Sequence, residues 1–139
     1  MDNIESLGFP AIALTPNGVM PYSQYENLLR VMKHEYEMGW FNDIEVIGID
    51  GISIIIRSAS IVAEPLLAKV FGRMVKVQVN ESFRNVENEV DSIRERVLQH
   101  LSLHPDMYVS AGVYDNIVND VAKSKTTREL VEVFAKLVS

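Results

Sequence analysis

A two-residue turn between two β-branched runs is the feature that most constrains the fold of this chain. Residues 44–49 and 52–57 are rich in isoleucine, and Asp50-Gly51 separates them. Asp-Gly suits the type I′ turn, whose twist matches that of paired antiparallel strands. The sequence therefore predicts a β-hairpin. Because Ile47 and Ile55 interrupt its expected polar face, part of the hairpin should be buried on both sides, inside a sheet or beneath a partner.

The residues before the hairpin predict a strand, a turn and a helix. Residues 9–14 form an apolar run, and Thr15-Pro16-Asn17-Gly18 favours a turn because proline fixes φ and Asn-Gly tolerates positive φ. Ser23 and Glu26 have the spacing of a capping box, the pattern at which a helix begins. Apolar residues then recur at helical spacing, so we expect one helix over residues 23–39.

The second half of the chain predicts more helix than strand. Residues 65–70 suit a short helix, and residues 74–79 alternate valine with polar residues, which is typical of a half-exposed strand. The spacing of six apolar residues then predicts a long helix that ends by Pro105: Phe83, Val86, Val90, Ile93, Val97 and Leu101.

Two more apolar stripes predict helices at the C-terminal end. One stripe contains Val113, Ile117 and Val121, and the other follows a second capping box, from Thr126 to Glu129. We therefore expect an α+β fold with the element order β-α-β-β-α-β, that of the ferredoxin-like split βαβ motif, and a helical C-terminal extension.

Composition limits the class of protein and its partners. The 139 residues suit a single domain, 1–139, with 47% hydrophobic and 23% charged residues. The chain has no cysteine, which excludes thiolate metal sites and cysteine nucleophiles and is compatible with a reducing compartment. No signal peptide or membrane-spanning run is evident, so we expect a soluble, cytoplasmic protein. A formal charge of −6 disfavours direct contact with nucleic acid or anionic membranes.

No local motif indicates a reaction. His100 and His104 lie one helical turn apart and are weak candidates for metal binding, but favourable interaction with a helix C-terminus is the more usual role of such a pair. Pairs of acids such as Asp43 and Glu45 arise by chance in an acidic chain. Serine-nucleophile and phosphate-binding motifs are missing from the sequence. The sequence therefore leans against an enzyme, and we expect no cofactor.

Recognition of another protein is the leading hypothesis. The pair Trp40-Phe41 could anchor a partner, although packing on the core is the commoner fate of such residues. We expect an acidic surface to engage a basic partner, for example as an immunity or inhibitor protein that neutralises a basic toxin or nuclease. The candidate partner-binding residues are Trp40, Phe41, Asp43, Glu45, Glu87, Asp91 and Glu95.

Two other hypotheses remain open. In the first, the chain is a small-ligand-binding or regulatory domain that forms a homodimer through the apolar hairpin. In the second, it is a metal-dependent hydrolase that uses His100, His104 and nearby acids. The first predicts stabilisation by a ligand without a protein partner, and the second predicts metal-dependent activity that is lost on His104→Ala.

Overall fold

The chain folds into a curled antiparallel sheet, and its C-terminal helices pack against one face. The computed structural model describes residues 6–63 and 74–138, so the helix predicted over residues 65–70 lies outside the described residues. The six strands lie in the order β2-β1-β4-β5-β6-β3, and every neighbouring pair is antiparallel. Their bounds are Ala11–Thr15 (β1), Gly18–Tyr22 (β2), Arg30–Met32 (β3), Ile44–Gly48 (β4), Ser53–Ala63 (β5) and Met74–Arg84 (β6).

The predicted turn after the first strand is confirmed, and it joins β1 to β2. Thr15 Oγ1 donates a hydrogen bond to the Gly18 carbonyl at 2.9 Å and accepts one from the Asn17 backbone N–H at 3.1 Å. Gly18 has a φ of 125°, which residues with a side chain rarely adopt. A Cβ there would also lie 3.3 Å from the His104 carbonyl oxygen, so this turn and residue 104 are close neighbours.

The single helix predicted over residues 23–39 is wrong. The segment contains α1 (Tyr25–Leu28), the short strand β3 and α2 (Lys33–Glu37). Val31 is buried where β3 pairs with β6, and this tertiary pairing prevails over the helical spacing of the sequence. Ser23 does not cap a helix, because its hydroxyl accepts a hydrogen bond from the Asn27 side chain instead.

The predicted hairpin is confirmed as β4 and β5, with Ile44 opposite Ile56. Its turn is not the predicted type I′, because Gly51 has a positive φ but Asp50 does not. Asp50 shapes the turn: its carboxylate accepts hydrogen bonds from the backbone N–H groups of Gly8 and Ile52. The expected burial on both faces is found for part of the hairpin, since Val46 lies in one apolar core and Ile47 in the core on the other face.

The long helix begins later than its apolar stripe predicted. Phe83 belongs to β6 and Val86 to the connection that follows, and α3 spans Val90–Leu103. Because β6 stays paired with β5 as far as Arg84, the chain cannot become helical at Phe83. The later part of the stripe is confirmed, since Ile93 and Leu101 are buried.

The C-terminal part is helical, as expected. It comprises α4 (Asp106–Ser110), α5 (Tyr114–Lys123), α6 (Thr127–Ala135) and a final 3₁₀ turn (Lys136–Val138). Thr126 caps α6 by accepting a hydrogen bond from the Glu129 backbone N–H at 3.1 Å. The Glu129 carboxylate accepts from the Lys125 backbone N–H rather than from Thr126, so only one half of the predicted capping box forms.

Two apolar cores lie on opposite faces of the sheet. The inner core fills the curl of the sheet and includes Trp40, Phe41, Val46 and Ile54. The helix-side core packs the C-terminal helices against the other face, which the strands β1, β2 and β4 supply. Its buried members are Ile12, Val19, Ile47, Ile93, Val97, Leu101, Tyr108, Ile117, Val121, Leu130, Val131, Val133 and Phe134.

The fold is therefore α+β, but the order β-α-β-β-α-β is not confirmed. Within the described residues, β1 and β2 form an additional hairpin at the start, and β3 replaces the middle of the first predicted helix. No helix in this part of the chain is both long and apolar enough to cross a lipid bilayer.

Candidate binding surface

The buried ion pair between Glu45 and Arg96 ties α3 to the sheet. Arg96 Nε lies 2.9 Å from Glu45 Oε1, and Arg96 Nη2 lies 2.7 Å from Glu45 Oε2. Ser53 Oγ and Asn85 Nδ2 also donate hydrogen bonds to this carboxylate. Glu45 is only 8% exposed. Its charge is therefore satisfied inside the protein, and Glu45 presents no exposed carboxylate to a partner.

Arg94 also turns towards the protein. Its guanidinium donates hydrogen bonds from Nε and Nη2 to the Ser124 carbonyl, which links α3 to the end of α5. Nη1 lies 2.8 Å from Asp91 Oδ1. The side chains of Arg94 and Arg96 are only 21% and 22% exposed. Both arginines of α3 are therefore used in contacts within the chain.

The acids beside these arginines face outward. The side chains of Glu87 and Asp91 are 75% and 87% exposed, and Glu95 is exposed on α3. Glu87 Oε2 reaches only to 4.0 Å from Arg96 Nη1. The helix α3 thus presents Asp91 and Glu95 to solvent, while both of its guanidinium groups are held in contacts within the chain.

Two apolar side chains extend the acidic face. Phe83 is 41% exposed and Val86 is 89% exposed. The exposure of Phe83 follows from the fold, because the apolar faces of the helices pack on β1, β2 and β4 and not on the outer face of β6. Together these residues form what we call the 83–95 surface: Phe83, Val86, Glu87, Asp91 and Glu95.

Asp43 lies beside this surface and forms an ion pair with Arg57. Asp43 Oδ1 is 3.4 Å from Arg57 Nε, and the Arg57 guanidinium carbon lies 5.2 Å from the centre of the Phe83 ring. Ile55 pairs with Glu45 on one side and with Phe83 on the other, which places the Phe83 ring one strand away from β4. The sequence pattern assigned Phe83 to a helix, so this cluster was not predicted. The alternation of residues 74–79 does not reveal it either, because Glu81 interrupts the alternation and β-bulges shift the register between β5 and β6.

The structure places Trp40 and Phe41 in the inner core. They are 6% and 2% exposed, and their rings pack edge to face with centres 4.6 Å apart. The chain reverses at Gly39, which has a φ of 85°, and this reversal turns the two rings inward. The interpretation of this pair as core residues is therefore the one that the structure supports, and neither ring presents a surface to a partner.

His100 and His104 lie together, with ring centres 4.7 Å apart, but His100 is already engaged. Its Nε2 donates a hydrogen bond to the Thr15 carbonyl at 2.6 Å. Burial lowers the pKa of His100; the nearby His104 also lowers it, while the hydrogen bond and the charge of Glu45 act in the opposite direction. Among the described residues, no three His, Asp or Glu side chains are grouped so that they could hold a metal ion.

A shallow cavity lies where the β1–β2 turn meets α4. Its volume is about 480 Å³, and its lining includes Met20, Leu103, His104 and Met107. The size lies within the range of small-ligand pockets, and flexible methionine side chains adapt to different apolar shapes.

Comparison with protein-family models, curated proteins and solved structures found no significant match for this chain.

Proposed function

We propose that this chain is a non-catalytic protein-binding domain that engages a basic partner through the 83–95 surface. The observation that carries the proposal is the opposite orientation of the charges around α3. Arg94 and Arg96 are directed into the protein, whereas Glu87, Asp91 and Glu95 are exposed. A surface of this kind attracts and orients a positively charged partner.

The apolar side chains at one end of this surface supply binding energy that charge attraction alone does not provide. Interfaces combine an apolar or aromatic centre with a charged rim, and the aromatic residues usually contribute most of the binding energy. Phe83 and Val86 are both exposed, and Val86 directly precedes Glu87 in the chain. We expect them to provide the centre of the interface and the carboxylates its rim.

An immunity or inhibitor protein that neutralises a basic toxin or nuclease is one concrete form of this role. The carboxylates would then take the place of substrate phosphates in the partner's basic groove. We propose this role for the cytoplasm, in keeping with an acidic, cysteine-free chain.

Affinity capture from the native cell tests the proposal. The tagged chain is compared with the variant E87Q/D91N/E95Q, which removes three charges from the surface without changing side-chain size. We expect a basic protein to be retained by the unaltered chain at low salt, to be weakened at high salt, and to be lost with the variant.

The matched control is D115N/D120N/E132Q, which removes the same number of charges from exposed positions on α5 and α6. The control should retain the partner. If both variants lose the partner equally, net charge alone is responsible and the 83–95 surface is not the binding site. If the unaltered chain is recovered alone or only with itself, protein recognition by this surface is refuted.

A second candidate function, small-ligand binding, is favoured by the cavity between the β1–β2 turn and α4. Its ligand would be a small, mainly apolar molecule that His104 could hydrogen-bond. A metabolite screen by thermal unfolding tests this role, because a ligand that binds the folded state raises its stability. A stabilising compound should lose its effect in Met107→Ala. If every compound that stabilises the chain acts equally on that variant, the cavity is not the site.

A further inference from the structure

The Phe83 ring of the 83–95 surface and the neighbouring Asp43 carboxylate both contact the Arg57 guanidinium. Arg57 lies over the ring of Phe83, with its guanidinium carbon 5.2 Å from the ring centre, and pairs with Asp43 at 3.4 Å. The face of an aromatic ring attracts cations, and a carboxylate binds a guanidinium through hydrogen bonds. The two groups together thus form a position that recognises arginine.

The arginine that occupies this position is held weakly. The side chains of Arg57 and Asp43 are 59% and 67% exposed, so water and salt screen their attraction. Neither Asp43, Arg57 nor Phe83 belongs to either apolar core. A guanidinium from another molecule could therefore take the place of Arg57 without disturbing the fold.

We propose that Phe83 and Asp43 form a receptor for an arginine of the basic partner, and that Arg57 occupies this receptor in the free protein. The inference rests on the proposed function and narrows it, because it names the chemistry of the partner: a basic segment that contains arginine. Binding exchanges an internal guanidinium for an external one, while the row of carboxylates attracts the rest of the segment.

Arginine fits this position better than lysine does. A guanidinium is planar, stacks on a ring and bonds a carboxylate with a fork of N–H groups, whereas an ammonium is a compact and strongly hydrated charge. The receptor should therefore distinguish two basic peptides of equal charge. The carboxylates of Glu87, Asp91 and Glu95 should not distinguish the two peptides, because they respond to charge.

Two synthetic peptides, tetra-arginine amide and tetra-lysine amide, measure the difference. Their affinities for the full chain are determined at low salt by calorimetry or by NMR titration. We expect tetra-arginine to bind about threefold more tightly than tetra-lysine, the size expected for one exposed cation–π contact. In Phe83→Leu the two affinities should become equal while both peptides still bind.

The occupancy of the receptor by Arg57 is tested by Arg57→Gln. This change vacates the position, so the preference for tetra-arginine should rise by a further factor of about two. Its matched control is Lys123→Gln on α5, which changes the net charge equally. Lys123→Gln should strengthen the binding of both peptides to the same extent and leave the ratio of their affinities unchanged.

The possible failures are distinct. Equal binding of the two peptides by the unaltered chain and by Phe83→Leu would overturn the arginine receptor but leave the acidic surface standing. Failure of both peptides to bind at low salt would overturn the proposed function as well. Asp43→Asn is a second test in case Phe83→Leu impairs folding. Asp43 has a φ of 60°, which asparagine tolerates. This variant should also reduce the preference for tetra-arginine.

Discussion

At the scale of single residues, two ion pairs of the same chemistry differ in what they contribute. The side chains of Glu45 and Arg96 are 10% and 22% exposed and join helix to sheet, whereas those of Asp43 and Arg57 are mostly exposed. Removal of one partner from a buried pair leaves an uncompensated charge, while an exposed pair adds little to stability.

Arg96→Met should therefore lower the free energy of unfolding by about 2–3 kcal/mol, at the lower end for buried pairs because Arg96 is partly hydrated. Arg57→Met is the matched control and should change it by less than about 1 kcal/mol. Urea unfolding followed by circular dichroism measures both. Equal losses in the two variants would show that the Glu45–Arg96 pair does not lock α3 to the sheet.

His100 gives the fold a dependence on pH. Its pKa is lowered in the folded state, first by burial and then by the neighbouring His104, from an ordinary value of 6.5. The unfolded chain therefore binds a proton more readily than the folded one. The contribution of His100 to stability is complete above about pH 6.5 and is lost as the pH falls through the lower, folded pKa.

Urea unfolding at pH 7.5 and pH 5.5 tests this assignment. The unaltered chain should be less stable at the lower pH, and His100→Gln should show a smaller difference between the two values. His34→Gln, on α2, serves as the control and should keep the original difference. An unchanged pH dependence in His100→Gln would assign the effect to other groups.

At the scale of elements, the two capping signals in the sequence had different outcomes. Thr126 accepts the hydrogen bond that starts α6, whereas Ser23 bonds to the Asn27 side chain and caps nothing. Thr126→Ala should therefore cost about 1 kcal/mol of stability, and Ser23→Ala less than about 0.5 kcal/mol. Thermal unfolding of the two variants checks this difference. A larger loss in Ser23→Ala would contradict the boundaries of α1 given above.

Elements were predictable where the local sequence determined them. The Asp50-Gly51 turn needs only its own residues and their flanking strands, and the buried stripe of α3 faces a sheet that lies on one side of it. The prediction of one helix over residues 23–39 failed because β3 depends on its pairing with β6, about 45 positions further along the chain. The assignment of Phe83 to a helix failed for the same reason, since its pairing with Ile55 is a tertiary contact.

The binding surface was predictable only in part. The outward positions of Asp91 and Glu95 follow from helical spacing on α3, whereas Glu87 is exposed in the connection before the helix. Burial of Glu45 could not be foreseen, because its partner Arg96 lies 51 residues away in the sequence. Which carboxylate meets solvent and which meets an arginine is decided by the packing of α3 on the sheet.

At the scale of the whole molecule, one sheet carries both cores. Strands β1 and β4 supply Ala13 and Val46 to the inner core, and Ile12 and Ile47 to the helix-side core. Loss of either core should therefore remove support from the other, and the chain should unfold in one step.

The single tryptophan makes this cooperativity measurable. Trp40 reports on the inner core, whereas the circular dichroism signal at 222 nm reports mainly on the helices of the other side. The two unfolding curves in urea should coincide, and Phe134→Ala, which opens a cavity only in the helix-side core, should shift both midpoints equally. Two separate midpoints would mean that the cores are independent.

The most direct test of the central claim is the footprint of the captured partner, measured by amide hydrogen exchange of the full chain with and without it. We expect added protection to be concentrated in residues 83–95 and in the adjoining residues 43 and 57, with residues 103–123 unchanged. Protection confined to the cavity around Met20 and Met107, or to α5 and α6, would show that the outward acids of α3 do not form the interface.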